Sequence, residues 1–286
     1  MKKAITSSMR ARKNIRLTLS YVILIIISIF WLIPFIYLLA QSFSVDTMNY
    51  SVFFPDEWTF NNYVLLFTDP AKPFWKWWLN TFIVAGVTCI IQTLITLATS
   101  YAFSRLRFKS RRFIMKAFLI IGMFPSFLTM IINYFLLDLI GLNNSIFGLV
   151  VIYCASSAMS YYIAKGFFDT VPKSLDEAAM IDGANKNTIF FKIILPLSKP
   201  IVVYTVLMAF TGPWGDFMMA SYIAQGNNDL MNVAVGLQNL AQVGEVSKYF
   251  SRFCAGGVVT SIPIMILFFW LQRYYVEGVT GGAVKG

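Results

Sequence analysis

The chain has 286 residues, of which 58% are hydrophobic, 17% aromatic and 13% charged, and its formal net charge is +10. The charged share is about half that of an average soluble domain, which excludes an ordinary soluble enzyme and predicts an all-α polytopic membrane protein. Lys and Arg occur in clusters beside apolar runs and not along one basic face, so the positive charge indicates membrane orientation and argues against nucleic-acid binding. The chain has no His, and its three cysteines lie far apart in apolar runs, so neither a metal site nor His-based catalysis is expected.

The N-terminus reads as an uncleaved membrane helix. Six basic residues among the first sixteen precede an apolar run of 24 residues, Leu17 to Ala40, which is too long for the core of a signal peptide. Hydropathy predicts six spans in all, over residues 17–40, 79–104, 113–136, 145–168, 198–224 and 253–275. The predicted plan is a tail over 1–16, a six-helix transmembrane domain over 17–275 and a second tail over 276–286.

The basic residues predict the orientation of these spans. The two tails and the connections between spans two and three and between spans four and five hold 19 Lys and Arg, whereas the opposite connections, 41–78, 138–144 and 225–252, hold 4. Because Lys and Arg accumulate on the cytoplasmic side, both termini are expected in the cytoplasm.

The connections on the other side carry two notable patterns. Trp75, Trp77 and Trp78, where the second span begins, are typical of an interfacial aromatic belt, and a sugar-stacking platform is the alternative. The connection 225–252 is long, polar and rich in Asn, Gln and Gly, as in a loop that reaches for a partner or a soluble ligand.

One ionisable residue stands out inside the spans. Asp216 lies in the fifth, within the stretch Thr211 to Phe217, where Gly212, Pro213 and Gly215 predict an irregular helix. Either Asp216 lies near the interface and is simply wetted, or the irregular stretch lines a polar pathway that accepts its free backbone groups.

A polar interruption of twenty residues, Glu177 to Pro196, separates the fourth and fifth spans. Ser174 and Glu177 match a capping box, which predicts a helix beginning at Ser174, and Gly183 is placed to end it in a left-handed conformation. A second short helix is predicted from Asn187 to Leu195, stopped by Pro196.

This interruption has two readings. In the first reading, the interruption is an amphipathic connector that lies on the lipid surface. Against that reading, Ala178, Ala179 and Gly183 leave a surface without large side chains, and the acidic residues Asp176, Glu177 and Asp182 place negative charge where an anionic lipid surface repels it. The pattern therefore favours a socket on another protein.

The interruption also carries a recognisable spacing. The pattern is E-A-A, then three residues, then G, then nine residues, then I-x-L-P. Its fixed positions are Glu177, Ala178, Ala179, Gly183, Ile193, Leu195 and Pro196. With this spacing the chain resembles the membrane subunits of bacterial binding-protein-dependent ABC importers. The run Tyr101 to Phe108 and the tail Val276 to Gly286 resemble their carbohydrate-uptake branch and, within it, the smaller six-helix permease of the maltose importer.

The resemblance implies a type I ABC importer transmembrane domain in the bacterial inner membrane. Its partners would be a second homologous permease subunit, two ATPase subunits and an extracytoplasmic sugar-binding protein. The ATPases would use ATP and Mg, whereas this chain would bind no cofactor and, without a G-x-x-x-x-G-K-[ST] loop, would not be an enzyme. Coupling to the ATPases would fall on the loop 170–196, at Asp176, Glu177, Ala178, Ala179, Asp182 and Gly183.

The resemblance further implies that the substrate is a sugar, first of all an oligosaccharide. The pathway candidates are Trp214, Asp216, Tyr222 and Gln225. The loop Gln225 to Lys248 would face the binding protein, at Asn227, Asn228, Asn232 and Gln238. The tail with Gly281, Gly282 and Lys285 would lie near an ATPase. In some relatives the larger partner subunit makes most of the sugar contacts.

Three other functions compete with this one. They are an ion-coupled secondary transporter, an ABC importer of a non-sugar solute, and a scaffold or sensor that transports nothing. The near absence of ionisable residues inside the spans argues against ion coupling. Uptake that needs ATP, and not an ion gradient, distinguishes an ABC importer from an ion-coupled secondary transporter.

Overall fold

The fold is described from a computed structural model, which covers the backbone of residues 2–45, 52–242 and 244–283 and the side chains of residues 14–45, 52–125, 127–242 and 244–274. Within these ranges the chain is all-α, as the composition predicts, with one isolated β-bridge between Ser44 and Trp58. The helices are α1 (Lys2–Ser42), α2 (Asn61–Thr68), α3 (Phe74–Arg105), α4 (Arg111–Gly122), α5 (Ser126–Leu139), α6 (Ile146–Ala155), α7 (Ala158–Thr170), α8 (Ser174–Ile181), α9 (Lys186–Ile189), a π-helical turn (Phe190–Ile194), α10 (Leu195–Leu197), α11 (Lys199–Gly215), α12 (Met218–Ala224), α13 (Val233–Leu240) and α14 (Val246–Ala283).

Among the described residues, three helices are long and apolar enough to cross a membrane without a break: Asn14–Ser42, Phe74–Arg105 and Val246–Tyr274. Side chains 14–36 of α1 are exposed throughout and almost all apolar after residue 20, as lipid contact requires. The first, second and sixth predicted spans are therefore unbroken helices that extend beyond their predicted bounds.

The third and fourth predicted spans are bent pairs of helices. The third bends by 110° between Arg111–Gly122 and Phe127–Leu139, and the fourth bends by 44° between Ile146–Ala155 and Ala158–Thr170. Pro125 explains the first bend, because proline lacks an N–H and disfavours a helical conformation in the residue before it.

The fifth span differs from its prediction of 198–224. The helix Lys199–Gly215 is preceded by Lys186–Leu197 at an angle of 86°. At its other end the helix is interrupted at Asp216 and Phe217, and α12 begins at Met218. The irregular helix predicted around Gly215 is confirmed. Six spans result when each of the three bent pairs counts as one.

Hydrophobic packing forms two clusters, one towards each end of the bundle. The basic end, which carries Arg105 and the segment 170–196, is built on a cluster that includes Tyr101, Phe168, Ala179 and Ile194. The far end is built on a larger cluster that includes Phe74, Trp77, Ala220 and Val233. The segment 170–196 is therefore part of a packed core and not a loose connection.

The connection 225–252 is folded onto the far end and is not the free polar loop that its composition predicts. Its helix α13 buries Val233, Val235 and Leu240, which are 0%, 3% and 1% exposed. Burial of these apolar side chains holds the connection against the bundle, although Asn and Gln residues surround them in the sequence. A Cβ on Gly236 would lie 2.0 Å from the Trp77 ring, so glycine allows α13 to approach α3.

The tryptophan cluster is divided between core and surface. Trp77 is fully buried, so neither a membrane belt nor a sugar platform applies to it. Trp75 is 51% exposed, and its ring stacks on that of Trp78 at 5.8 Å.

Candidate functional site

The segment 170–196 is organised around the glycine that ends α8. Gly183 has φ +82°, which confirms the predicted left-handed conformation. Its N–H donates to Met180 O at 3.1 Å, and the N–H of Ala184 donates to Ala179 O at 2.9 Å. These two bonds are the Schellman pattern, which satisfies carbonyls at the end of a helix.

The start of α8 differs from its prediction. The helix begins at Ser174 as expected, but no side chain caps it. The N–H groups of Asp176 and Glu177 donate to Lys173 O at 3.0 and 3.1 Å, so the chain is already wound at Lys173. Ser174 is thus the first helical residue and the cap position falls on Lys173, so the predicted capping box is wrong.

The second helix of the segment also runs further than predicted. Asn185 caps it by accepting a hydrogen bond from the N–H of Thr188 at 2.8 Å. The helix then passes through the π turn and continues beyond Pro196 to Leu197. In the π turn the N–H of Leu195 bonds to Phe190 O, five residues back. This wider winding relieves the clash that proline makes in a regular α-helix.

The surface of α8 is small, apolar at its tip and acidic at its edge. Ile181 and Met180 are 86% and 51% exposed. Glu177, Ala178, Asp182 and Gly183 are exposed as well, whereas Ala179 is buried under the helix. An exposed isoleucine on a rigid helix suits a hydrophobic pocket on a partner protein.

Asp176 points the other way, into the protein. Its Oδ2 lies 2.9 Å from Arg105 Nε, and the two side chains are 13% and 4% exposed. Arg105 Nη2 also donates to Val171 O at 2.8 Å. Burial raises the pKa of Asp176 above its ordinary value, while Arg105 opposes this shift. Asp176 thus fastens α8 to the end of α3 and is not part of the exposed surface.

Further contacts tie the segment and its neighbours to α3. Tyr101 donates to Lys186 O at 3.3 Å, and its ring packs on that of Phe190 at 4.8 Å. Ser104 donates to Asp169, at the end of α7, at 2.7 Å. Helices α7, α8 and α9 are therefore all held by the last two turns of α3.

A second candidate site lies at the break in the fifth span. Here a cavity of about 440 Å³, which we call the Asp216 cavity, opens among α5, α6 and α12. Asp216 Oδ2 accepts a hydrogen bond from the hydroxyl of Tyr153 at 2.6 Å, and Oδ1 accepts one from the N–H of Met219 at 3.2 Å. The lining residues are Phe127, Thr129, Met130, Asn133, Ile152, Tyr153, Ser156, Gly215, Asp216, Phe217, Met218 and Met219.

An adjoining cavity of about 590 Å³, the Gln225 cavity, shares Phe127, Met130, Phe217 and Met218 with the first and adds Ser221, Tyr222 and Gln225. Gln225 donates to the hydroxyl of Tyr134 at 2.7 Å, and the Tyr134 and Tyr222 rings pack edge to face at 4.9 Å. Three of the four pathway candidates, Asp216, Tyr222 and Gln225, therefore line one continuous cleft.

The fourth candidate, Trp214, does not line this cleft. It is 4% exposed and packs against Trp78 and Phe210 in the far-end core. The structure therefore does not bring Trp214 together with the other three candidates, because its side chain is buried in the core.

The four candidates in the connection 225–252 also divide. Asn227, Asn228 and Gln238 are exposed at the far end. Asn232 is 3% exposed; its Oδ1 caps α13 by accepting from the N–H of Val235, and its amide donates to Asp216 O at 2.7 Å. Asn232 therefore supports the break in the fifth span and does not face a partner. Lys285, placed near an ATPase by the resemblance, lies outside the described residues.

Sequence reasoning missed Arg105 and Tyr153. Arg105 counts in the sequence only as one of many basic residues, and Tyr153 lies in an apolar run without any local signal. Among the described residues, no group of three acidic, Cys or His side chains is arranged to hold a metal ion.

Comparison with known proteins gives consistent matches. Residues 92–281 match the family described as "Binding-protein-dependent transport system inner membrane component". The chain is 35% identical to the galactooligosaccharides transport system permease protein GanQ of Bacillus subtilis, over 98% of this chain and 99% of that protein. It is 34% identical to the maltodextrin transport system permease protein MalD of Streptococcus pneumoniae, again over 98% and 99%.

A solved structure shares the fold. It comes from a bacterial ABC transporter involved in the import of the acidic polysaccharide alginate, with a TM-score of 0.74 at 22% identity. The match covers 92% of this chain and 97% of that one.

Proposed function

Since the chain belongs to the family of binding-protein-dependent transport system inner membrane components, we propose that it is the permease subunit of an ATP-driven importer that takes up a sugar, first of all an oligosaccharide. The observation that carries this proposal is α8, a short helix with an exposed apolar tip at Ile181, held rigidly by the core beneath it. The names of its relatives, which transport galactooligosaccharides and maltodextrin, support a sugar as the substrate.

In this proposal the chain works in a complex with a second homologous permease, two ATPase subunits and an extracytoplasmic sugar-binding protein. Both termini and the segment 170–196 face the cytoplasm, where α8 docks into an ATPase. ATP and Mg are bound by the ATPases and not by this chain. ATP shifts the population between two conformations of the pathway, because the ATPase contacts of α8 differ between them.

The exposed residues of α8 have separate roles in the docking. Ile181 and Met180 fill an apolar pocket, and Glu177 and Asp182 contribute charge at its rim. Gly183 leaves open space, since a Cβ built there meets no atom of this chain within 4 Å. Asp176 contributes indirectly, by holding α8 on Arg105.

The test is uptake by the complete complex in proteoliposomes, with maltotriose, galactotriose and trigalacturonate as substrates. We expect one or more of these saccharides to accumulate only when ATP is supplied, and an imposed proton or sodium gradient to have no effect. Uptake driven by an ion gradient without ATP, or no uptake of any of the three, would overturn the proposal.

Two variants of α8 extend the test to the docking surface. Ile181→Asp is expected to weaken co-purification of the ATPases, because a charge in an apolar pocket loses its hydration. Ile140→Asp is the matched control, since Ile140 is also exposed, at 60%, but lies in a connection remote from α8. Equal retention of the ATPases by both variants would remove α8 from the docking surface.

A further inference from the structure

We propose that the Asp216 cavity is a saccharide subsite of this subunit and that it selects uncharged sugars. The inference rests on the proposed function and goes beyond it, because it assigns sugar contacts to this chain and names the class of sugar.

Three helix breaks meet at this cavity. Phe127 and Thr129 follow the break in the third span. Ser156 lies at the break in the fourth, with Tyr153 in the helical turn before it, and Gly215 to Phe217 form the break that precedes α12. Each break frees backbone N–H and C=O groups. Within a bilayer such groups are tolerated where protein buries them or where they line a water-filled cavity. Protein side chains satisfy some of these groups, since Ser157 donates to Cys154 O and Asn232 donates to Asp216 O. What the three breaks do is bring the polar side chains of Tyr153, Ser156 and Asp216 to one cavity.

The carboxylate of Asp216 is held in position but retains free acceptor capacity. Each of its oxygens accepts one described hydrogen bond, from the Tyr153 hydroxyl and the Met219 N–H. An ionised carboxylate offers about four acceptor positions. The backbone of the break is fixed as well, because the Asn232 amide donates to Asp216 O and Pro213 O. The remaining positions are free to accept hydrogen bonds from sugar hydroxyls.

The rest of the lining matches the two kinds of surface that a sugar presents. Asn133 and Ser156 offer donors and acceptors for hydroxyl groups, and the Phe127, Met130 and Phe217 side chains form apolar walls for C–H faces. A site with mostly apolar walls and a few fixed polar groups is the common form of a small-molecule site. Its volume of about 440 Å³ lies within the range of such sites.

The charge of the lining determines the class of sugar. Among the described lining residues, Asp216 is the acidic one, and no Lys or Arg accompanies it. A carboxylate on the sugar would approach Asp216 without a compensating cation, in surroundings that screen charge less than water does. The subsite therefore favours neutral saccharides, in contrast to the alginate importer whose fold it shares.

The experiment measures occupancy of the cavity directly. Ser156→Cys is introduced into the complex with the chain's own three cysteines replaced by Ala, and its reaction with a small maleimide is followed with and without saccharide. At a maltotriose or galactotriose concentration about twice the Kd, two thirds of the sites are filled and labelling slows about threefold. Trigalacturonate, of equal length but acidic, is expected to have no effect.

Two controls keep the result specific. Ser110→Cys is exposed but remote from the cavity, so no saccharide should protect it. Asp216→Asn removes the charge while keeping an oxygen for the Met219 N–H, and it should allow trigalacturonate to protect Ser156→Cys. Asp138 is an exposed carboxylate outside the cavity, so Asp138→Asn should not allow this protection.

The outcomes separate this inference from the function it rests on. ATP-driven uptake of a saccharide that leaves Ser156→Cys unprotected overturns the subsite and leaves the importer standing. Protection of the wild-type Asp216 cavity by trigalacturonate overturns the neutral selectivity. Absence of ATP-driven uptake overturns the importer itself, whatever the labelling shows.

Discussion

Replacing Arg105 by Met should loosen α8, the helix with the proposed docking surface. The substitution keeps much of the volume of a side chain that is 4% exposed, but it removes the cation beside Asp176 and the donor to Val171 O. The carboxylate then stays buried without its partner. We therefore expect α8 to open locally while the spans remain folded.

The magnitude follows from the burial of the pair. Removing one member of a buried ion pair costs about 3–5 kcal/mol, because the other charge is left uncompensated. Asp176 keeps 13% exposure, so the lower end applies. A loss of about 3 kcal/mol corresponds to a rise of roughly 150-fold in the local opening constant.

Hydrogen exchange of α8 in the detergent-solubilised complex measures this change. The Arg105→Met variant should exchange α8 amides roughly 150-fold faster than wild type at neutral pH. Arg107→Met is the matched control, since Arg107 is exposed two residues further on.

Asp176 supplies the decisive check. Its pKa is raised already in the wild type and should rise further without Arg105, so acidification neutralises it and should restore protection. Asp176→Asn in the Arg105→Met background should restore it at neutral pH. The reasoning is refuted if α8 exchanges at the same rate in Arg105→Met and Arg107→Met.

Three further predictions concern single positions. Gly183→Ala should destabilise α8 by about 1–2 kcal/mol, because the φ of +82° at this position is costly for a residue with a Cβ. Hydrogen exchange at 174–184 measures this change, and equal exchange in Gly183→Ala and wild type would contradict it. Gly236→Ala should lower the Tm of the solubilised chain through overpacking worth about 1–3 kcal/mol against the buried Trp77 ring, whereas Gly86→Ala, which meets no atom within 4 Å, should not. For Asp69, burial favours a higher pKa but the hydrogen bonds from Arg252 and the Ala71 N–H outweigh it, so its pKa lies below the ordinary 3.8. The stabilisation is present above 3.8 and is lost as the pH falls through the lower folded pKa, so Asp69→Asn should lower the Tm at neutral pH and match wild type in acid; a Tm difference independent of pH would refute this.

Local chemistry in the sequence was a good guide wherever one residue decides the backbone. Gly183 predicts a left-handed helix end because few other residues adopt that conformation without strain, and the structure has it at φ +82°. The cluster of Gly and Pro before Asp216 predicts an irregular helix for a similar reason. The all-α fold follows equally directly from the length of the apolar runs.

Prediction failed where residues next to a motif determine the backbone geometry. The Ser174 capping box is a valid local pattern, but Lys173 is already wound into the first turn and its carbonyl accepts the N–H bonds there. Pro196 stops a regular helix, but the π turn before it makes room for the ring. In both cases the deciding geometry belongs to residues outside the motif.

Contacts between distant parts of the chain lie beyond local reasoning. Arg105 pairs with Asp176, 71 positions later, and Tyr153 donates to Asp216, 63 positions later. Nothing in the sequence distinguishes Arg105 from the other basic residues at the same end of the bundle. Trp214 is a similar case, since its ring packs against Trp78, 136 positions earlier, although it lies only two positions from Asp216.

The path of the chain from Lys186 to Phe217 joins the two sites without an intervening loop. The helix Lys186–Leu197 turns by 86° into Lys199–Gly215 through a single residue, and Lys199–Gly215 ends at the Asp216 cavity. At 1.5 Å per residue this rod is about 25 Å long. A displacement of the segment 170–196 by a docked partner is therefore expected to move Lys199–Gly215 as well, and with it the lining of the Asp216 cavity.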